Sequence, residues 1–384
     1  MKKIGILFLI LFIFNPVFSQ TNQIQVIAWN GVPSGFTNPN TYQQLVNAGI
    51  TINHVGFHSL NDAVKALDLA EKNGIKLLLN CPEMFDAPEE TARRMMNHPG
   101  LAGYFLADEP GVKEFETLKR IHRQISSVDN KHLFYINLFP IDASTELLGT
   151  NSYKSYIEQF FKNFNLKIYS FDFYPIYNGV VKPNWYSNLE IFSEYTKNKG
   201  AHFWAFAKTT SYSDQNEKIT IEDLRLQAFT NLAYGAQGIQ YFTYWMPEKG
   251  YFNGPINSKG IKQSGYDNVS IISDEIKSVS PVFYNSRVEK VYHTEQTEGT
   301  TLFKNNFLEL KLNYGKNLLI SRISNGNNRY IVFVNKDLAN VNNVSISSKI
   351  DFNIVNKNRS TIPFKKNVSK TFSIGKGDLL ILKY

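Results

Sequence analysis

The segment LAGYFLADEP, residues 101–110, is an apolar run that ends in two adjacent carboxylates and a proline. The run is typical of a buried parallel strand, and Pro110 suits the first turn of a following helix. Asp108 and Glu109 therefore fall where a strand ends and a helix begins. Seven more segments of this kind lie before and after it, within residues 24–285.

Eight strand-like segments alternate with segments of helical period. They are 24–30, 53–58, 75–80, 101–108, 132–138, 167–174, 201–207 and 238–245. Each interval fits one strand–helix–strand crossover, so the pattern predicts an α/β fold, a closed (β/α)₈ TIM barrel. A doubly wound open sheet is the alternative. The glycines of Gly31–Gly35 have the wrong spacing for a dinucleotide-binding turn.

Polar residues before the helical segments predict where helices begin. We expect Asn40 to cap the first helix, Ser59 or Asn61 the second, and Thr220 the helix over 221–234.

The helical period disappears from about Arg287 onward. Short alternating runs follow, separated by turn residues, at 306–312, 317–323, 329–334, 343–347, 350–355 and 378–383. They predict a small antiparallel β-sandwich domain over 286–384, after a barrel over 20–285.

Residues 1–19 have the pattern of a signal peptide. Lys2 and Lys3 precede an apolar run over 4–14, and Ser19 supplies the small residue before a cleavage site. The run is shorter than the ~20 residues that a spanning helix needs. We expect a periplasmic or secreted protein with no membrane contact after cleavage; a retained anchor is the alternative.

Composition excludes several classes of protein. A single cysteine excludes a disulfide framework and a cysteine-based zinc site. The net charge of +8 is not concentrated in a basic stripe, so nothing indicates nucleic-acid binding. We expect no cofactor and no bound metal, and the sequence does not indicate the oligomeric state.

The carboxyl ends of the strands are where a βα barrel carries its active site. Most of the predicted strands end in polar or aromatic residues, namely Trp29, Asn30, His58, Asn80, Asp108, Glu109, Asn137, Asp172, Tyr174, Lys208, Tyr244 and Trp245. Helix capping is an alternative role for Asn80 and Asn137, and barrel packing is one for Trp29 and Trp245. The whole set predicts a polar mouth with aromatic platforms, which suits carbohydrate binding.

Two carboxylates from different strands suggest hydrolysis of a glycosidic bond. Asp172 lies between two phenylalanines, which is costly unless it faces a cleft or is paired. Tyr174, two residues on, shares its face and could donate to it. With Glu109, one carboxyl group would protonate the leaving oxygen, and the other would attack the sugar or activate water.

The triplet Asp108-Glu109-Pro110 resembles the Asn-Glu-Pro that ends strand four in clan A glycoside hydrolases, which are (β/α)₈ barrels. Tyr244-Trp245 is similar to the aromatic pair at their eighth strand. The run 224–245 resembles exported glycoside hydrolases of Bacteroidetes type, which end in a small β-sandwich. The resemblance implies an enzyme that hydrolyses O-glycosyl bonds of a carbohydrate, with Glu109 as acid/base.

Strand seven departs from the clan A pattern. It carries Lys208 where those enzymes place a nucleophilic Glu, and the next acids are Asp214 and Glu217. Three interpretations stay open. Asp172 is the partner carboxylate, as in α-galactosidase-like barrels; the reaction is inverting, with carboxyl groups about 6.5–9.5 Å apart; or the protein binds glycans without catalysis.

From the sequence we therefore predict a glycoside hydrolase with Glu109 as general acid and Asp172 as nucleophile or base. Asp108, Tyr174 and Lys208 would tune charge and hold hydroxyl groups, while the strand-end aromatics would bind the sugar. A non-catalytic glycan-binding protein is the alternative.

Overall fold

The computed structural model describes residues 22–212, 214–305, 307 and 309–384. The predicted signal peptide, residues 1–19, lies outside these residues. Within the described part of the chain, no helix is long and apolar enough to cross a bilayer.

Eight parallel strands close into a barrel, which confirms the predicted TIM barrel. They are β1 (Gln25–Trp29), β2 (Ile52–His54), β3 (Lys76–Leu79), β4 (Leu101–Asp108), β5 (Leu133–Leu138), β6 (Ile168–Phe171), β7 (His202–Lys208) and β8 (Gly238–Phe242). Their spatial order follows the chain, and β8 pairs with β1 to close the ring. All eight carboxyl ends therefore meet at one mouth.

Helices surround the barrel. They are α1 (Pro39–Asn47), α2 (Leu60–Lys72), α3 (Glu83–Asp86), α4 (Pro88–Met95), α5 (Phe115–Ser126), α6 (Thr145–Leu148), α7 (Tyr153–Asn163), α8 (Asn184–Lys199), α9 (Ile221–Ala233) and α10 (Ser264–Phe283). Ser59 caps α2, and Thr220 caps α9 in a reciprocal capping box with Asp223, as predicted. The prediction of Asn40 as a cap is wrong: Asn38 caps α1 because Pro39 already occupies its first position.

Several strands end earlier than predicted, and at β2 and β8 this moves predicted site residues away from the barrel mouth. β2 ends at His54, and the backbone then leaves the sheet, so His58 is exposed before α2. β8 ends at Phe242, and the backbone amides of Tyr244 and Trp245 bond instead to the carbonyls of Trp29 and Asn30.

Two antiparallel sheets follow the barrel. Their strands are β9 (Arg287–His293), β10 (Leu310–Tyr314), β11 (Leu318–Asn325), β12 (Asn328–Asn335), β13 (Asn342–Ser348), β14 (Phe352–Val355), β15 (Thr361–Phe364), β16 (Ser369–Ile374) and β17 (Leu379–Lys383). The six-stranded sheet has the order β9-β11-β12-β17-β14-β15, and the three-stranded sheet has the order β10-β13-β16. Strands β9, β15 and β16 had no counterpart among the predicted runs.

The six-stranded sheet buries both faces of its central strands. Ile331 and Phe333 of β12 pack in a core that the smaller sheet also lines. The alternating residues Tyr330, Val332 and Val334 join the core of the barrel and its helices. This alternation follows the two-residue period of a strand.

Barrel helices contact the sheet through both packing and ion pairs. Phe229 of α9 is fully buried, and the Lys357 ammonium lies 4.7 Å from its ring centre. Lys357 also pairs with Glu275 of α10 at 2.8 Å and with Asp378 at 2.7 Å. One lysine thus connects two barrel helices to the six-stranded sheet.

Replacing Phe229 with alanine tests how much this contact stabilises the fold. We expect Phe229→Ala to lower the free energy of unfolding by about 3–5 kcal/mol, because it leaves a cavity in a closed core. The four tryptophans all precede residue 246, so their fluorescence during urea unfolding reports the barrel. Phe85→Ala, at a ring that is 38% exposed, is the matched control and should cost under about 1 kcal/mol. Equal losses would contradict the packing role.

Candidate active site

A cleft of about 360 Å³ opens at the carboxyl ends of the barrel strands. Its lining combines acids, an amide and aromatic rings: Trp29, Asp108, Glu109, Asn137, Asp172, Tyr174, Tyr212, Phe242 and Tyr251. The structure thus brings together six residues that the sequence predicts for one site: Trp29, Asp108, Glu109, Asn137, Asp172 and Tyr174. Three aromatic residues were not predicted.

Strand register places a layer of polar side chains below the cleft. Asp108, Asn137 and Ser170 are neighbours across β4, β5 and β6. The side-chain N–H of Asn137 donates to the Asp108 carboxylate at 2.9 Å, and the Ser170 hydroxyl donates to the side-chain oxygen Oδ1 of Asn137 at 2.8 Å. Both Asn137 and Ser170 are buried, so each needs its partner.

Two more buried residues extend this layer across the barrel. The side-chain N–H of Gln240 on β8 donates to the Ser170 hydroxyl at 2.9 Å, and the Tyr135 hydroxyl on β5 donates to the side-chain oxygen Oε1 of Gln240 at 2.6 Å. The Tyr135 hydroxyl also lies within hydrogen-bond distance of the Ser170 hydroxyl, at 2.7 Å. These bonds link Tyr135, Gln240, Ser170 and Asn137 to Asp108 and hold the Asn137 amide against the cleft acid.

Glu109 follows β4 in a conformation that few residues adopt. Its φ of 48° lies in the left-handed region, and its backbone N–H donates to the backbone carbonyl of Asn137 at 2.8 Å. Such conformations are concentrated at functional sites. Burial, together with the negative charges of Asp108 and Asp142, raises the pKa of Glu109 from its usual 4.5 to about 7.

Asp172 is the second acid of the cleft. Burial raises its pKa well above the usual value, the nearby Tyr174 hydroxyl opposes this, and the nearby charge of Glu109 adds to it. Its Oδ1 atom is buried and has no hydrogen-bond partner in the protein. Tyr174 lies beside Asp172 in the cleft, and its donation to this carboxylate stays a prediction. A ligand group that reached Oδ1 would give that atom a hydrogen-bond partner.

Asp108 is the third acid, and its side chain is exposed at the mouth. Protein atoms around it still raise its pKa by desolvation, while the hydrogen bond from Asn137 lowers it. Asp108 and Glu109 each oppose the ionisation of a neighbouring acid, which adds to the raised pKa values of Glu109 and Asp172.

Aromatic rings form the opposite wall of the cleft. The Tyr174 ring lies 4.6 Å from Phe242 and 5.9 Å from Tyr212, centre to centre. Tyr251 follows at 6.2 Å from Phe242. The residue pairs Ser211–Tyr212 and Tyr251–Phe252 form a short antiparallel ladder that joins the loops after β7 and β8.

The three aromatic residues that were missed differ in how far the sequence indicates their positions. Phe242 is the true end of β8 and the register partner of Trp29, so a shorter predicted strand would have found it. Tyr212 and Tyr251 lie in loops, where no periodicity indicates which way a side chain faces.

Six predicted residues do not line this cleft: Asn30, His58, Asn80, Lys208, Tyr244 and Trp245. Asn30 donates from its amide to the Trp245 carbonyl at 2.9 Å, and Trp245 packs on Phe36 at 4.8 Å. Tyr244 is 1% exposed. Asn80 is half-buried at the end of β3, and His58 is exposed. Their predicted contacts with a sugar stay predictions.

Lys208 ends β7 but turns away from the cleft into an ion pair. Its side chain is 4% exposed and that of Glu217 is 1% exposed, and the ammonium bonds to the Glu217 carboxylate. It also donates to the Ile176 carbonyl at 3.3 Å. The pair fills the end of strand seven, so neither charge lies on the cleft surface.

The fold is shared with solved glycoside hydrolases. A family 5 glycoside hydrolase from Bacteroides vulgatus matches over 94% of this chain and 89% of its own, with a TM-score of 0.59 and 13% identity. A GH42 β-galactosidase from G. stearothermophilus matches over 95% and 98%, with a TM-score of 0.66 and 8% identity. The chain has their fold. No protein-family model and no curated protein matches the sequence.

A second β-galactosidase, from Bacillus circulans sp. alkalophilus, gives the same result. It covers 94% of this chain and 99% of its own, with a TM-score of 0.63 and 8% identity. At such identities the likeness concerns the fold, and the argument for function has to come from the cleft itself.

Asp108→Asn tests the electrostatic coupling within the cleft. Asp108 adds negative charge beside Glu109, so its neutralisation should lower the pKa of Glu109 from about 7 toward 4.5. The side-chain carboxyl signal of Glu109 in a ¹³C-Glu-labelled protein, assigned with Glu109→Gln, would report this during a pH titration. Asp142→Asn, at a weaker contributor, should give a smaller downward shift. An unchanged or raised pKa in Asp108→Asn would contradict the coupling.

Proposed function

We propose that this protein is a glycoside hydrolase whose carboxyl pair is Glu109 and Asp172. The observation that carries the proposal is that two acids with raised pKa values lie in one aromatic-lined cleft at the barrel mouth. Cleavage of a glycosidic bond needs a protonated acid and a second carboxylate in reach of the same sugar. Tyr174, Tyr212, Phe242 and Tyr251 would contact the apolar faces of the sugar.

Glu109 is proposed as the general acid. A pKa near 7 keeps a proton on the carboxyl group at neutral pH and still lets it transfer in the reaction. Asp108 supports this state, because its charge opposes ionisation of Glu109. The Asn137 amide holds Asp108 in place at 2.9 Å.

Asp172 is proposed as the partner, either as nucleophile or as the base that activates water. The buried pair of Lys208 and Glu217 fills the position at the end of strand seven. Asp172, directly after β6, is the cleft acid on the neighbouring strand. The negative charge of an ionised Glu109 raises the pKa of Asp172, so the protonation state of Glu109 affects that of Asp172. The free Oδ1 atom of Asp172 is the one available to the sugar or to water.

A glycan-binding protein without catalysis is the second candidate. The end of strand seven favours this second candidate. Lys208 stands there in place of the acid that clan A enzymes use, and its charge is paired with the buried Glu217. The raised pKa of Glu109 favours the enzyme, since a binding cleft needs no protonated acid.

The cleft also suits a sugar without acidic groups. Among the described residues that line it, three are acids and none is a lysine or arginine. A uronate or sulfate would enter without a cationic partner, and repulsion from the acids would weaken its binding.

We further propose that residues 1–19 direct export, in keeping with a Bacteroidetes-type protein, and that residues 286–384 form a β-sandwich domain. The charged start, the apolar run and Ser19 support the first proposal. The core shared by the two antiparallel sheets supports the second.

Leaving-group chemistry separates the two carboxyl roles. Glu109→Gln should lower kcat/KM at least about 100-fold on unactivated oligosaccharides, since a general acid contributes about that much. On 2,4-dinitrophenyl glycosides the loss should be small, because that leaving group needs no proton. Asp172→Asn should lose activity on both substrates. The substrates come from a screen of aryl glycosides and plant and algal polysaccharides.

Glu116→Gln, on the exposed surface of α5, is the matched control and should retain wild-type rates. The reverse pattern, with Asp172→Asn rescued by the good leaving group, would exchange the two roles. Oligosaccharide hydrolysis that survives both substitutions would reject the carboxyl pair. Affinity for a glycan with no hydrolysis of any substrate would favour the second candidate.

Charge selectivity is tested with aryl glycosides that differ only at carbon 6. We expect 4-nitrophenyl glucuronide and galacturonide to be hydrolysed at least about tenfold less efficiently than the glucoside and galactoside of the same configuration, because no cation faces the added carboxylate. The comparison uses kcat/KM at one pH and ionic strength. A preference for either uronide would contradict the neutral-sugar proposal.

A further inference from the structure

We propose that Tyr212 and Tyr177 form an outer subsite for a second sugar unit, and that the buried Lys208–Glu217 pair positions both tyrosines. The proposal rests on the proposed function, because the second unit belongs to the same carbohydrate chain whose first unit enters the cleft. The outer subsite is defined here as the exposed surface of these two rings.

The outer subsite is continuous with the cleft. Tyr212 lines the cleft and is still 41% exposed, and its ring lies 5.9 Å from Tyr174 and 6.4 Å from Phe242. It therefore extends the aromatic wall outward. Tyr177 lies farther out, on a hairpin of residues 176–181 after β6, and is 50% exposed. Val180 of the same hairpin is 69% exposed.

One ammonium group lies near both rings. The Lys208 Nζ atom is 5.4 Å from the ring centre of Tyr212 and 5.6 Å from that of Tyr177, within the range of cation–π attraction. The same atom bonds to Glu217 and to the Ile176 carbonyl next to Tyr177. The buried Lys208 ammonium thus lies within cation–π range of both residues of the outer subsite.

Further bonds join the three loops that surround this ion pair. The Tyr177 hydroxyl donates to Asp214 at 3.0 Å, which connects the loops after β6 and β7. The Asn253 amide, from the loop after β8, donates to the Glu217 carbonyl at 2.7 Å. Loss of the Lys208 charge would leave the buried Glu217 carboxylate uncompensated, so the loops would rearrange.

Exposed tyrosines at this place suit a sugar rather than a protein partner. A sugar ring has an apolar face that packs on an aromatic ring and hydroxyl groups at its edge. Tyr177 presents its ring and, at its tip, the Asp214 carboxylate as an acceptor for a hydroxyl group. Exposed apolar side chains beside a cleft indicate a binding surface. The ligand in the cleft determines which chemical group contacts that surface, and here the proposed ligand is a carbohydrate chain.

Calorimetric titration of full-length Glu109→Gln protein tests the outer subsite without turnover. The probes are cellotetraose, xylotetraose, mannotetraose and β-1,4-galactotetraose, each beside its monosaccharide. For a tetrasaccharide that binds, adding Tyr177→Ala should raise the Kd by about tenfold, the effect expected of an aromatic anchor. Binding of the monosaccharide should not change, because it occupies only the cleft.

Three further variants separate ring stacking from positioning. Tyr177→Phe keeps the ring and should retain most of the affinity. Tyr314→Ala, at a tyrosine that is 61% exposed on β10, is the matched control and should have no effect. Lys208→Met should weaken tetrasaccharide binding, and combining it with Tyr177→Ala should cost less than the sum of the two, because both act on one subsite. Glu217→Gln serves if Lys208→Met does not fold.

The outcomes distinguish this proposal from the proposed function. Unchanged tetrasaccharide binding in Tyr177→Ala overturns the outer subsite, even if Glu109→Gln abolishes hydrolysis. Weakened binding in Tyr177→Ala supports the subsite, even if the wild type hydrolyses nothing. No binding of any probe overturns it. Full tetrasaccharide affinity in both folded Lys208→Met and Glu217→Gln overturns the positioning role.

Discussion

The closed barrel forces the polar side chains inside it to satisfy one another, and the chemistry at its mouth depends on how they do so. Hydrogen bonds link Tyr135, Gln240, Ser170 and Asn137 to Asp108, and the Asn137 amide donates to the Asp108 carboxylate at 2.9 Å. Asp108 is thereby held beside Glu109 as a charged neighbour. Burial contributes most to the raised pKa of Glu109, and the charge of Asp108, which this buried polar layer holds in place, adds to it.

Much of the barrel could be predicted from the sequence, because buried parallel strands are apolar runs of recognisable length and spacing. The prediction of β4 matches to the residue, and Asp108 and Glu109 lie where it placed them. Errors arose where a strand stops before its apolar run does. The regular ladder of β8 with β1 ends at Phe242, although the amides of Tyr244 and Trp245 still bond to the carbonyls of Trp29 and Asn30, and nothing in the sequence of that segment indicates where the ladder stops.

The loops were the least predictable part of the candidate site, because long-range pairs define them. Tyr212 and Tyr251 meet through a two-residue ladder, which is too short to leave a pattern. Lys208 shows the same limit. Its place at a strand end suggested a contact with substrate, but Glu217, nine residues on, withdraws its charge into the protein interior. The role of a charged residue at a strand end therefore cannot be predicted before its ion-pair partner is known.

The six-stranded sheet has a consequence for how the protein can change over evolution. Strands β11 and β12 supply one side of the barrel's outer core and, on alternate residues, one side of a second core. A sheet with two buried faces has few positions where a substitution leaves stability unchanged, because nearly every substitution alters the packing of one core or the other. The C-terminal sheets therefore cannot be exchanged like a module on a flexible linker; helix α9 and these strands must vary together.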